Sequence, residues 1–289
     1  MSRLAFRAAR MEERTIVIPS GQVHAWVSAA RPNDSRPTLL LLHGFGSDGE
    51  QQWAPQVYEL SQHYRVVVPD FFYFGGSWPF RPSTHLDDQI QMVLELMTYL
   101  RIDRTDVLGI SYGGFVAFEL AARFGRRIGK VVISNSPGPF MAHDDHAAML
   151  RRLGVEDMAD LLVPSHPRTI RDLVSIAFHK PPPVPSFAAR DAFRSFFRHY
   201  AGERRKIMRQ LQDRVGEPGL ADRKVVHPTL VLWGEHDRVF PVGLARRLAS
   251  EIGANARLHV IPSTAHAPNQ ERHREYNRVV LSFLNERRV

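Results

Sequence analysis

Cysteine is absent from all 289 residues, which excludes disulfides, thiolate metal sites and a thiol nucleophile and leaves the redox compartment open. Long apolar runs are absent too. The longest clean one, Leu39 to Leu42, falls far short of the roughly 20 residues of a membrane-spanning helix, so the expectation is a cytoplasmic protein without a spanning segment. No internal repeat or low-complexity tract breaks the chain. No metal ligand set is expected either: His143-Asp144-Asp145-His146 reads better as a helix start with favourable acids. Acids are missing before Glu12, and that arginine-rich opening reads as a surface helix or frayed tail rather than an organelle transit segment.

What is present suits one large core with an inserted subdomain, at 44% hydrophobic and 24% charged residues. Lysine and arginine number 38 against 30 acids, and the resulting +8 brings nucleic acid and anionic membranes into question. The bases are scattered and no nucleic-acid-binding motif accompanies them, so nucleic acid is not an expected partner. Their densest stretch, Arg190 to Arg214, repeats bases at i, i+4 spacing and reads as a solvated helix face, with peripheral contact to a lipid surface or an anionic substrate as the other uses. A monomer or weak dimer is expected.

Along the chain, Thr15 to Ile18 and Val23 to Val27 flank Pro19-Ser20-Gly21 as an antiparallel hairpin. Leu39 to Leu42, Arg65 to Val68, Thr105 to Leu108, Val131 to Ser134, Thr229 to Trp233 and Leu258 to Ile261 are short apolar runs, as parallel strands buried on both faces require. Helical patterns at Pro55 to Gln62, Leu86 to Leu100, Phe115 to Phe124, Val242 to Ile252 and Arg272 to Glu286 separate most of them. This predicts an α/β fold with a mostly parallel eight-stranded sheet and helices on both faces. One interruption, residues 140–224, holds helical patterns and no convincing strand, and is expected to cap the site face between core segments 1–139 and 225–289.

Gly109-Ile110-Ser111-Tyr112-Gly113-Gly114 lies between the run ending at Leu108 and the helix pattern from Phe115, which puts a serine at the tip of a sharp strand-to-helix turn. A serine hydroxyl is a weak nucleophile, so chemistry there needs an imidazole base, a carboxylate to hold it and donors for an oxyanion. Trp233-Gly234-Glu235-His236-Asp237 delivers the carboxylate, Asp237, with Glu235 as fallback, to the carboxyl edge of the sheet. His266, in the loop after Ile261, is the candidate base on the same edge. Backbone N–H groups of Phe45 and Tyr112 are the candidate oxyanion hole, while His43 and Asp70 read as loop-shaping residues.

The order Ser111, Asp237, His266 matches the α/β-hydrolase arrangement. With His43-Gly44-Phe45-Gly46, Pro69-Asp70, Gly75-Gly76-Ser77 and His266-Ala267-Pro268, the chain from about Thr15 onward resembles capped serine esterases and lipases of that fold, including the monoacylglycerol-lipase-like branch. The resemblance implies hydrolysis of carboxylic esters through an acyl-enzyme, without a metal or organic cofactor, on a small-molecule ester with an apolar acyl or aryl group. Phe140, Phe178, Phe193 and Phe197 are the expected pocket aromatics, with Met149 and Met158 beside them. The carbon–carbon bond hydrolases of ring-cleavage diketones share the scaffold, but usually place asparagine before the nucleophile and tryptophan after the histidine, where this chain has Ile110 and Ala267. A non-catalytic ligand receptor on the same fold is the remaining alternative.

Overall fold

A computed structural model describes residues 2–286 apart from 218 and 221. Its strands are β1 (Met11–Ile18), β2 (Gly21–Ser28), β3 (Thr38–Leu42), β4 (Arg65–Pro69), β5 (Trp78–Pro79), β6 (Thr105–Ile110), β7 (Ile128–Ser134), β8 (Thr229–Gly234) and β9 (Ala256–Ile261). They form one sheet in the order β1-β2-β4-β3-β6-β7-β8-β9, with β1, β2 and β4 paired antiparallel and every later pair parallel. Eight strands follow that path as expected. The ninth, β5, is only two residues long and pairs with β2 at Gly21 and Gln22, too short to leave an apolar pattern.

Successive strand side chains alternate between faces. Leu39 and Leu41 enter the layer with Trp53, Val57 and Tyr276, from helices α2 (Gly49–His63) and α11 (His273–Asn285). Leu40 and Leu42 enter the opposite layer with α3 (Leu86–Tyr99), α4 (Tyr112–Arg123) and α10 (Val242–Ile252). The opening segment forms α1 (Ser2–Ala8), whose fully buried Phe6 packs 4.9 Å from the Trp26 ring, a burial that stabilises by about 2 kcal/mol.

Helix α2 starts at Gly49, six residues before the Pro55 expected to start it, and is capped by Asp48, whose carboxylate accepts Gln51 N–H. Pro55 cannot donate to the carbonyl four residues back, and the Gln270 side chain approaches that Gln51 oxygen instead, at 3.3 Å. Between β7 and β8 lie α5 (His143–Leu153), α6 (Met158–Leu162), α7 (Thr169–Ala177), α8 (Ser186–Ala192), a π turn at Phe193–Phe197 and α9 (Ala201–Asp213), with no strand among the described residues. Met149, Met158 and Met208 of this helical insertion line one cavity together with Ser111, which follows β6, and Val239, beyond the end of β8. No described helix is long and apolar enough to cross a membrane.

Candidate active site

Ser111 occupies the turn between β6 and α4 at φ 51° and ψ −117°, a conformation costly for a side-chain-bearing residue. Its neighbours make that turn feasible. A Cβ on Gly109 would come 2.1 Å from Gly113 O, and one on Gly113 would come 2.2 Å from Leu42 O, so strand, turn and helix approach as only glycines allow. Ser111 N–H donates to Ser134 O at 2.9 Å, tying the turn to β7.

Three loops converge on the serine. His266 Nε2 lies 3.0 Å from Ser111 Oγ, and His266 Nδ1 lies 2.8 Å from Asp237 Oδ2. With Nδ1 protonated and donating to the carboxylate, Nε2 is left to accept the serine proton. The Asp237 side chain is fully buried, and its other contacts hold it in one orientation. Oδ1 accepts from Val239 N–H at 2.8 Å and Phe240 N–H at 2.9 Å, while Oδ2 also accepts from Asn135 Nδ2 at 2.8 Å. Four donors saturate the carboxylate, so rotation would break several bonds at once. Glu235, the fallback acid, points elsewhere and accepts from Ser263 N–H.

The loop after β3 supplies the oxyanion candidates. His43 is fully buried, donates from Nδ1 to Gly44 O at 2.7 Å and accepts Phe71 N–H at Nε2 at 3.0 Å. Burial depresses its pKa, against the pull of Asp70, and it shapes its loop as expected. Tyr112 N–H belongs to the first turn of α4 and has no carbonyl within its helix to bond. Gly44 N–H approaches Gln52 Oε1 and Gln52 Nε2 approaches Asn269 Oδ1, both at 3.3 Å, which links this loop to the one carrying His266. Asp70 is likewise structural: it accepts from Gly49 N–H and Gly76 N–H and pairs with His24 Nδ1 at 2.7 Å.

Beneath the insertion a narrow cavity of about 90 Å³ opens at Ser111 and His266, with Met141, Met149, Met158, Met208, Phe115 and Phe240 among its walls. Phe45 and Tyr112 also line it. Phe140, Phe178, Phe193 and Phe197 do not, which corrects the pocket expected from sequence. Phe140 stands edge-on behind Phe118, 5.6 Å away. Phe178 borders a surface depression with His179 and His236. Phe193 and Phe197 pack inside the insertion around Ile170 and Ala189, because the π turn alters the helical spacing on which a single stripe would depend.

Sequence reasoning missed Asn135 and Arg204. Asn135 follows β7 in the polar string Ser134-Asn135-Ser136, an unusual ending for a strand buried on both faces, and that was the available signal. Arg204 sat in the basic run read as a solvated face, yet it is 6% exposed, donates to Tyr73 O at 2.7 Å and to Phe196 O, and stacks 4.6 Å over the Phe74 ring. Burial lowers its pKa to about 10, with Asp48 and Asp70 pulling the other way, so it remains charged at neutral pH. No group of metal-ligating side chains occurs among the described residues.

Comparison with known proteins agrees with this geometry. The profile of the alpha/beta hydrolase fold matches residues 37–272. Epoxide hydrolase 3 of Xenopus tropicalis is 28% identical, over 86% of this chain and 72% of its own. A 2-hydroxy-6-oxo-2,4-heptadienoate hydrolase of Pseudomonas putida is 27% identical, over 85% and 88%. Among solved structures, a serine hydrolase of the polyaromatic hydrocarbon-degrading Cycloclasticus zankles superposes with a TM-score of 0.80 at 21% identity, over 94% of this chain and 98% of the other.

Proposed function

The chain belongs to the alpha/beta hydrolase fold family, and from that membership we propose that it is a serine hydrolase of carboxylic esters with an apolar acyl or aryl group. The observation that carries the reading is the continuous hydrogen-bond chain from Asp237 through His266 to Ser111 at the mouth of an apolar cavity. His266 Nε2 takes the Ser111 proton as Oγ attacks the ester carbonyl, and Asp237 steadies the imidazolium. The oxyanion sits against Phe45 and Tyr112 N–H, each donor contributing on the order of 3 kcal/mol in the transition state. Collapse breaks the ester C–O bond, and His266 passes its proton to the leaving alcohol. Water then gives His266 a proton, attacks the acyl carbon and releases the acid, and the proton returns to Ser111.

The nucleophile argues against epoxide opening, the activity named for one relative. Serine attack on an epoxide carbon would form an ether, which this acyl-transfer machinery has no carbonyl to hydrolyse. Carbon–carbon cleavage of a dienoate diketone is the second reading, favoured by the Pseudomonas relative. Ile110 and Ala267 stand where the residues usual in that group would be.

The test is hydrolysis of p-nitrophenyl esters from acetate to laurate by the wild type and Ser111→Ala. Turnover by the wild type alone supports the esterase, and its chain-length optimum sizes the cavity. If folded wild type leaves every ester intact yet bleaches a vinylogous diketone chromophore, the second reading replaces the first.

A further inference from the structure

A second recess opens where the insertion meets the loop that follows β8. It is a surface depression of about 540 Å³, bordered by Arg152, Ser175, Phe178 and His179 from the insertion and by His236 and Arg238 from the core. Its arginines are placed unlike most others on the chain. Arg123, Arg205, Arg209, Arg214 and Arg247 each stand within ion-pair distance of a carboxylate. Arg152 instead donates from Nε to Arg238 O at 2.8 Å and from Nη2 to Val239 O at 3.0 Å, which orients its guanidinium and leaves Nη1 without a partner among the described residues. Arg238 is exposed, and its guanidinium bonds to no described residue.

Two like charges thus share one rim. Partial burial lowers the Arg152 pKa, Asp237 raises it and Arg238 lowers it again, so the two guanidiniums act on each other. The nearby carboxylates are committed elsewhere. Asp237 is saturated by its four donors inside the protein. Glu271 accepts Ala265 N–H at Oε1 and His179 N–H at Oε2, and Glu235 accepts Ser263 N–H while standing 3.3 Å from His236 Nε2. The His179 and His236 rings stack at 4.3 Å across the seam between insertion and core. No described residue hydrogen-bonds to the His179 ring, so its N–H is free to donate.

From this arrangement we infer a binding site for a phosphate monoester on a small organic body, seated between the insertion and the core. A phosphate group carries about two negative charges at neutral pH, and its oxygens match the fork of a guanidinium. The depression has more room than that group needs, and Phe178, Pro181 and Pro241 offer apolar contact to whatever carries it. Occupancy has a mechanical consequence. Ala267 N–H donates to Ala177 O at 3.0 Å and His179 N–H to Glu271 Oε2 at 2.7 Å, so the strip of insertion bordering the site is tied to the loop that bears His266. A ligand bridging Arg152 and His179 to Arg238 clamps that strip in place. The site shares no lining residue with the catalytic cavity, and it does not depend on which bond Ser111 cleaves.

The experiment is calorimetric titration of the wild type with phenyl phosphate, inorganic phosphate and benzoate at constant ionic strength. Phenyl phosphate binds saturably and about tenfold more tightly than either of the others. Arg238→Gln weakens it by at least about tenfold, and Arg190→Gln, on α8 and outside the depression, changes it less than about twofold. Arg152→Gln gives a similar loss and decides the matter if Arg238→Gln does not fold. No saturable binding, or equal losses from Arg190→Gln and Arg238→Gln, overturns the site, the latter because it marks attraction to the general positive charge. Benzoate binding as tightly as phenyl phosphate overturns the phosphate assignment, and inorganic phosphate binding as tightly overturns the organic body. Saturation with phenyl phosphate also slows hydrogen exchange at the Ala267 and His179 amides about tenfold, and unchanged exchange overturns the clamp.

Discussion

The two walls of the cavity are built on opposite principles. On the sheet side, behind Ser111 and His266 of the lining, Asp237 has every acceptor position filled and His43 bonds through both ring nitrogens, so that side is backed by directional contacts. On the insertion side, the wall includes methionines, whose contacts are non-directional and yield to shape. Arg204 spans the two, carried on α9 yet bonded to Tyr73 and stacked on Phe74, whose ring meets Phe45 edge-on at 5.1 Å. Under the proposed function, the contrast assigns reaction type to the core loops, where small displacements break hydrogen bonds, and substrate scope to the insertion, where displacements are absorbed.

Substitutions test that division, the most severe first. Asp237→Asn lowers kcat by about four orders of magnitude, measured on whichever p-nitrophenyl ester the wild type prefers. Met208→Ala, on the opposite wall, changes kcat/KM by about tenfold or less and moves the chain-length optimum upward. Equal losses from the two would abolish the distinction between the walls. Arg204→Met, which keeps bulk but removes the donors to Tyr73 and Phe196, destabilises by about 3 kcal/mol in urea unfolding. A change within error would show that the link is not a strong one.

The pair beneath the first loop adds a pH dependence. Burial disfavours the charged form of His24, but bonding and attraction to Asp70 and Glu13 outweigh it and raise the pKa from 6.5 to about 9. A raised pKa means the folded chain holds this proton more tightly than the unfolded one. The stabilisation is fully present below pH 6.5 and is lost as pH rises through 9, amounting to about 2 kcal/mol after allowing for partial exposure. His24→Gln flattens unfolding free energy across that window, and an unchanged slope would remove His24 from the account. At the bottom of the scale, Asp160→Asn in the exposed pair with Arg205 costs about 0.5 kcal/mol, and any large loss would mean the insertion depends on surface charge.

The fold and the convergence of Ser111, Asp237 and His266 were legible because local sequence encodes them. Each lies at the end of an apolar run followed by glycine or a short loop, and the serine, aspartate and histidine come in a distinctive order. The insertion wall was not legible. Aromatic spacing drew attention to Phe193 and Phe197, yet their partners are Ile170 and Ala189, set by how α7 and α8 pack rather than by any local period. Arg204 was hidden for a related reason: charge pattern alone cannot distinguish a solvated guanidinium from one docked on carbonyls and an aromatic ring.

The amide of Gln52 bears on transplantation. It stands between Gly44 and Asn269, so the stretch that would cradle the oxyanion and the stretch that bears the imidazole share one connector. Borrowing residues 263–269 from another scaffold would import a foreign partner for Gln52 and disturb a loop more than two hundred positions away in the chain. Recombination of such enzymes is therefore expected to succeed in blocks that move Gly44, Gln52 and Asn269 together, and to fail at crossovers that part them.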